Sequence, residues 1–473
     1  MAFDSMSNRV IALAVDQKTA GFTERFTRMG SVKDALKNVY EIEGELTVKR
    51  SGMLKSLFGF FFVTMLTCGS AFAGGLSLYE FGSPDVGLAA AGSAARTQDA
   101  STVFTNPAGM SRLEKSQVLG GLQALYGDIK FSPNSASTVS GSDGGNAVGW
   151  MPGGSLFVVH KLNQDWAIGF GVLSYFGLGL KYDDNWIGRY YIQEGTLIGM
   201  TLTPAVSYRV NNWLSIGAGL NMMYGYLDTK VAINNIGDSR PDGQLKYKDQ
   251  NWGYGGNFGI MVEPKSGTRF GITYLTAVKL DFSDVPEFNG LGPGLEVVLR
   301  NSGLMTNNLD MSVTVPQMVM FSAYHELNPQ WAIMGNIGWQ QWSRFGQVDV
   351  QINSNNPQSL TVDNDYKDTW HVALGVQYRP SATWAFTCGV AYDSSAVDDD
   401  KRTVTLPMGE AWRFALGAQY AFTPNLTMGA AYEFLWGGDM SVDQERGPLV
   451  GRVAGEYSNT SMSIIALNLS WKY

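Results

Sequence analysis

Cysteine is scarce in this 473-residue chain, with only Cys68 and Cys388 present, and Cys68 lies in a stretch that export would remove. One remaining thiol closes no internal disulfide, so disulfide stapling is excluded as the stabilising device. Charge is sparse as well, with Asp, Glu, Lys and Arg making up 16% of residues. After Ala73 no apolar run reaches the roughly 20 residues that a membrane-spanning helix needs, which excludes a helical membrane protein. Histidine occurs 3 times, no nucleophile-elbow motif surrounds a serine, and no nucleotide-binding motif is present, so hydrolytic and ATP-driven chemistry lack their parts. What is abundant is glycine, at 56, and aromatic residues, at 13 Trp, 21 Tyr and 24 Phe. That balance fits a β-rich protein or a membrane barrel.

The apolar run from Leu57 follows Met53 and Lys55 and ends in Ala71-Phe72-Ala73, the order of a secretory signal cleaved after Ala73. Residues 53–73 therefore read as a signal peptide. Residues 1–52 carry mixed charge and no readable motif, and form an unexplained extension ahead of a start at Met53. The 73 residues hold 9 of 34 basic and 7 of 42 acidic residues. The mature chain is left with 34 − 9 = 25 against 42 − 7 = 35, a net charge of −10. Nucleic acid is an improbable partner for such a chain.

From about residue 117 the chain alternates. In Trp412-Arg413-Phe414-Ala415-Leu416-Gly417-Ala418-Gln419-Tyr420 the even positions are apolar, large in all but Ala418, and the odd positions small or polar, which is a strand with one greasy face. The same period runs through Trp370 to Tyr378, Leu426 to Trp436, Leu214 to Tyr226, Ile198 to Tyr208 and Trp384 to Tyr392. A soluble sandwich would carry charge on its second face. Here that face is Gly, Ala, Ser, Thr, Asn and Gln, as expected of a barrel with lipid outside and a crowded polar interior. Short turns at 163–165, 210–212, 264–268, 328–330, 380–383 and 423–425 alternate with long polar loops, and the thirteen connections predict an all-β, 14-stranded antiparallel transmembrane barrel over 117–473. An even strand number places both barrel ends on the short-turn side, the periplasmic side of an outer-membrane barrel. The final strand runs to aromatic Tyr473, the kind of ending read by the barrel assembly machinery.

Residues 74–116 do not alternate. They are rich in small residues and turn formers, and Asn106 ahead of Pro107 favours a side-chain-capped turn. Such a segment is either a periplasmic appendage or a plug, and its small residues suit packing in a narrow lumen.

Three stretches together resemble the outer-membrane long-chain fatty acid transporter family, which includes transporters of toluene and related aromatic hydrocarbons. They are the segment with Asn106-Pro107-Ala108, residues 185–221 beginning "NWIGRYY", and residues 368–397 beginning "DTWHVALGVQYRP". The resemblance implies a barrel with an N-terminal hatch gated at Asn106, Pro107 and Ala108. It further implies capture of a hydrophobic solute at outer loops and sideways release where the third strand bends inward. Gly169, Gly171, Gly177 and Gly179 lie in that strand, near Trp166 to Leu178, and ease a bend. The residues between Pro407 and Trp412 and Ala396 depart from the family pattern in an outer loop, which bears on substrate choice.

A fatty acid needs a greasy tunnel and a cation for its carboxylate. Assigning large residues to lipid leaves Lys279, Arg344, Arg413 and His371 facing the lumen, with an ion pair to Glu433 as the plain structural role for Arg413. Leu291, Leu295, Leu304 and Met305 form an apolar set in one long loop, either a capture surface or a self-packed cluster. Arg189 braces a loop or touches solute. Asp238, Asp242, Asp249 and residues 397–401 read as solvated loop charge, facing outer-membrane lipid and lipopolysaccharide. No cofactor and no specific metal spacing is expected, and the expected state is a monomer. A porin would want a charged lumen without a plug, an enzyme a paired nucleophile and base, and an adhesive barrel longer polar loops.

Overall fold

The computed structural model describes Tyr79, Phe81 and residues 84–473, apart from 236–238, 302, 354–357, 360–361 and 448–449. The extension 1–52 and the signal peptide expected at 53–73 lie outside those residues. In chain order the long strands are β1 (Gln117–Asp128), β2 (Gly149–Lys161), β3 (Trp166–Lys181), β4 (Glu194–Arg209), β5 (Leu214–Ile233), β6 (Gly243–Lys265) and β7 (Thr268–Leu275). They continue as β8 (Met318–Glu326), β9 (Trp331–Gln340), β10 (Thr369–Tyr378), β11 (Trp384–Asp393), β12 (Ala411–Thr423), β13 (Leu426–Glu445) and β14 (Arg452–Lys472). Each pairs antiparallel with its neighbour in sequence, and β14 closes on β1. Closure removes the free edges that an open sheet would expose in lipid.

The alternation of the sequence becomes an inside and an outside. Along β10, Trp370, Val372, Leu374 and Val376 are exposed while His371, Ala373, Gly375 and Gln377 are buried. The exposed set is the lipid face. Aromatic pairs sit at both of its rims: Trp166 with Tyr208, Trp331 with Tyr378 and Trp384 with Tyr420 at the short-turn end, and Tyr126 with Trp150, Tyr224 with Trp252 and Tyr392 with Trp412 at the other. From Trp384 to Tyr392 is eight steps, about 27 Å at about 3.4 Å per residue, and a tilt of about 40° reduces the height to about 21 Å, close to the apolar band of a membrane barrel.

Above β7 to β9 the wall departs from a plain cylinder. β7 stops at Leu275, and the chain resumes as an outer strand, Val278–Asp284, that pairs with Leu309–Val315 rather than with β6. Pro316, which carries no N–H, separates that second outer strand from β8. Gln347–Ile352 completes the small outer sheet. Val278 and Leu280 press against Gly253, and Leu280 against Gly225, on the inner face of β5 and β6, where no side chain holds them off.

Residues 84–113 fill the lower part of the lumen as four short helical turns, Pro84–Leu88, Ser93–Arg96, Thr102–Thr105 and Pro107–Arg112. The polar inner face of the wall explains how they stay there. Asn336 donates to Ala90 O at 2.8 Å, Ser322 accepts from Ala94 N at 3.1 Å, Asn257 donates to Phe104 O at 2.7 Å, Thr273 to Thr105 O at 2.7 Å and Ser207 to Ala108 O at 3.1 Å. The bonds to Ala94 N, Phe104 O and Thr105 O satisfy main-chain groups that short helices leave unbonded, and the bond to Ala90 O adds to one from Ser93 N. At Gly271 and Gly389 the segment lies so close that a Cβ would overlap Ala94 O and Leu88 O. Arg96 is buried between Asp85 at 2.7 Å and Asp99 at 3.2 Å.

Candidate functional site

Four inward positions on neighbouring strands build a charged cluster near the long-loop end. His371 on β10 lies opposite Asp393 on β11, and Arg413 on β12 lies diagonally between Asp393 and Glu433 on β13, because its direct partner is Ala391 and that of Glu433 is Ala415. Diagonal neighbours on one face are within reach of long side chains. Arg413 Nε is 2.5 Å from Asp393 Oδ2, and its Nη1 is 3.4 Å from Glu433 Oε1. His371 Nδ1 is 2.6 Å from Asp393 Oδ1. His371 and Glu433 are fully buried. The ring of Tyr79, from the start of the luminal segment, stacks on His371 with centroids 4.1 Å apart and lies 5.3 Å from the Arg413 guanidinium.

Beside this cluster is a cavity of about 170 Å³. Its polar lining includes Asp393, Glu410, Arg413 and Gln340, and its apolar lining Trp342, Met408, Leu435 and Met462. A larger hollow of about 980 Å³ lies along Phe270, Ile333, Leu374, Phe414 and Leu416. Those side chains point outward, so that hollow belongs to membrane lipid and not to the lumen.

Replacing His371 by Phe keeps a ring to stack on Tyr79 and removes the bond to Asp393. The expected loss is about 1.5 to 3 kcal/mol, the worth of a hydrogen bond to a charged group. A lower temperature for the loss of the folded-barrel mobility on gels is the measurement.

The structure brings His371 and Arg413 together and corrects the expectation for Lys279 and Arg344. Lys279 sits on the outer strand Val278–Asp284, beyond the point where β7 leaves the wall, exposed and 2.8 Å from Asp281. Arg344 lies on the short helix Trp342–Phe345, whose Trp342 and Phe345 turn inward and leave the guanidinium exposed. Asp393 was missed by pattern reading, although its odd position on β11, in step with Ala391, marks it as inward.

Asn106 holds the middle of the luminal segment. Its Nδ2 donates to Ala94 O at 2.7 Å and to Ile260 O at 3.1 Å, and its Oδ1 accepts from Ala108 N at 3.1 Å. Pro107 opens the next helical turn, which carries Ala108. In β3, Gly169 and Gly171 face the segment at Val103, with Met110 against Gly169. The irregularity itself falls between the two glycine pairs, where Tyr175 is inserted against β4. Odd residues face inward before it, and Phe176 and Leu180 after it.

This bulge coincides with an interruption in the wall. The β2–β3 ladder ends at Ser155 and Leu173, while β2 continues to pair with β1 up to Gly149 and β3 with β4 up to Lys181. A bond from Lys181 N to Ala147 O, 2.8 Å, bounds the interruption above. Pro152 and Gly153-Gly154 form its β2 side. Inside it stand Tyr175, packed on Phe104, and Phe176, packed on Trp342 and Phe345.

The family model described as outer membrane protein transport protein (OMPP1/FadL/TodX) matches residues 64–473. The chain belongs to this family. OMPP1/FadL/TodX relatives include the long-chain fatty acid transport protein of Escherichia coli O6:H1, 28% identical with 76% of this chain and 87% of the relative covered. Another is outer membrane protein P1 of Haemophilus influenzae, 26% identical with 86% and 97% covered. Among solved structures, a Pseudomonas aeruginosa FadL homologue superposes with a TM-score of 0.76 at 20% identity, covering 85% of this chain and 100% of that one. The Pseudomonas putida toluene transporter TodX gives 0.58 at 17%, covering 79% and 94%. As an OMPP1/FadL/TodX barrel, the protein resides in the outer membrane of a Gram-negative bacterium and takes up hydrophobic compounds, and it is not an enzyme. Its short-turn end is the periplasmic end.

The long loops pack on one another at the outer end. Arg189 bonds Asp242 at 2.7 Å and Ser140 O at 2.8 Å, which is a brace. Tyr182 stacks on Trp186 at 3.7 Å and shares a 2.6 Å bond with Tyr457, and burial pushes the Tyr182 hydroxyl above its ordinary range. The helix Pro293–Asn301 differs, with no buried residue and with Val297 and Val298 exposed. Leu291, just before it, is buried against Gly243.

Proposed function

We propose that the protein imports long-chain fatty acids. The apolar face around Val297 and Val298 takes the solute from outside, the cavity beside Arg413 receives it, residues 84–113 act as a hatch that keeps water and ions out, and the interrupted β2–β3 ladder releases it sideways into the membrane. The observation that carries this reading is that interruption: a wall without ladder bonds, opposite inward aromatic rings, lets an apolar chain pass where a polar solute gains nothing. The fatty acid transport activity of the Escherichia coli relative supports the substrate class.

A second reading, uptake of aromatic hydrocarbons, is favoured by the engagement of Arg413 with two carboxylates, since an uncharged solute needs no cation. Uptake of labelled oleate and labelled toluene by cells producing the protein from Met53 separates them. Oleate entry faster than in cells lacking the barrel is the expected result. Entry of toluene alone moves the substrate to hydrocarbons, and entry of neither overturns the transport reading.

A further inference from the structure

The charges at the luminal cavity set the form in which an acid is taken, and this inference rests on the fatty acid reading above. Arg413 reaches Asp393 and Glu433. A third carboxyl, Glu410, lines the same cavity and accepts from the Tyr392 hydroxyl at 2.6 Å. The remaining facing groups are His371 from β10 and Tyr79 from the luminal segment. Among the described residues the cavity and its cluster therefore hold three carboxyls against one guanidinium and one imidazole, with the phenols of Tyr79 and Tyr392 beside them.

A fatty acid carboxylate entering here would be a fourth carboxylate around one fixed cation. Two like charges about 4 Å apart repel by about 4 kcal/mol at an effective dielectric constant of about 20. Carboxyls crowded into one site relieve that repulsion by retaining a proton. We propose that the cavity admits a fatty acid only together with one proton, which is shared between the acid and the buried Glu433, so that its ligand class is the neutral carboxylic acid. The proton enters from water and departs with the acid, leaving the cluster unchanged. An uncharged acid is also the form that passes into the hydrocarbon region through the wall.

Laurate, 1-dodecanol and dodecyl sulfonate share a chain length and differ in the head. Their binding is measured with the barrel folded in phospholipid nanodiscs between about pH 6 and 8.5, where free laurate is an anion. The expected result is a laurate affinity that rises about tenfold for each unit of falling pH, the slope of one bound proton, with dodecanol flat and the sulfonate weak throughout. Glu433→Gln removes a buried charge without changing shape, and flattens the laurate slope while raising affinity at the alkaline end. Glu410→Gln, at the exposed rim, acts in the same direction by less. A flat laurate profile in the wild type, or a sulfonate that binds as well as laurate, overturns the proposal. So does an unchanged slope in both variants, which would place the proton elsewhere. If none of the three ligands binds a barrel that keeps its folded gel mobility, the fatty acid reading itself fails.

Discussion

Alanine at Asn106 is expected to turn a sealed barrel into a leaking one. The side chain is fully buried and makes three bonds, one within its own turn, one to Ala94 and one to the β6 main chain. Truncation leaves Ala94 O and Ala108 N without that partner, at about 1 to 3 kcal/mol each. A total of about 2 to 6 kcal/mol shifts the ratio of seated to unseated segment by roughly thirtyfold to four orders of magnitude. The barrel itself stays closed, because its ladders do not involve Asn106 side-chain bonds. Ion conductance of the purified protein in a planar bilayer should therefore rise from near zero to that of an open pore, with gel mobility unchanged. A variant as tight as the wild type would show that residues 84–113 are held by the wall without this residue and that Asn106 does not gate the lumen.

Deleting Tyr175 is expected to abolish solute release while leaving the barrel inserted. The inserted residue switches β3 from odd-inward to even-inward. Removing it restores one parity along the strand and allows the ladder to β2 to continue past Leu173. Oleate uptake should fall to the level of cells lacking the protein. Tyr175→Ala keeps the insertion and removes only the ring that packs on Phe104, so it should retain most of the uptake. Full uptake by the deletion variant, in a barrel with normal gel mobility, would place the exit elsewhere.

The barrel was legible because lipid on one side and a crowded lumen on the other impose a period of two that propensity alone does not. Trp412 to Tyr420 showed it plainly, and the turn residues between strands gave the count of fourteen. Arg413 and His371 were found by the same parity. Lys279 was misplaced because parity assumes that a strand stays in the wall, and nothing in its own residues announces that β7 leaves the sheet at Leu275. Arg344 failed similarly, since it follows the end of β9 and its helix sets its direction. The bulge at Tyr175 could not be placed from the glycines alone, since Gly169 and Gly171 face the luminal segment at Val103 and the inserted residue follows them. Asp393, the residue that joins His371 to Arg413, requires knowing which strands are neighbours before its partners can be named.

The seam between β1 and β14 has a kinetic meaning. It joins Gln117 to Lys472 and Asp128 to Ser461, so its partners are separated by 472 − 117 = 355 and 461 − 128 = 333 positions. Contacts this remote in the chain are the slowest to find one another. Residues 84–113 lead into β1, so the luminal segment is tethered to a strand whose seam partner is the most distant in sequence. The seam therefore sets the pace at which the cylinder closes, whatever the speed of the local hairpins beside it.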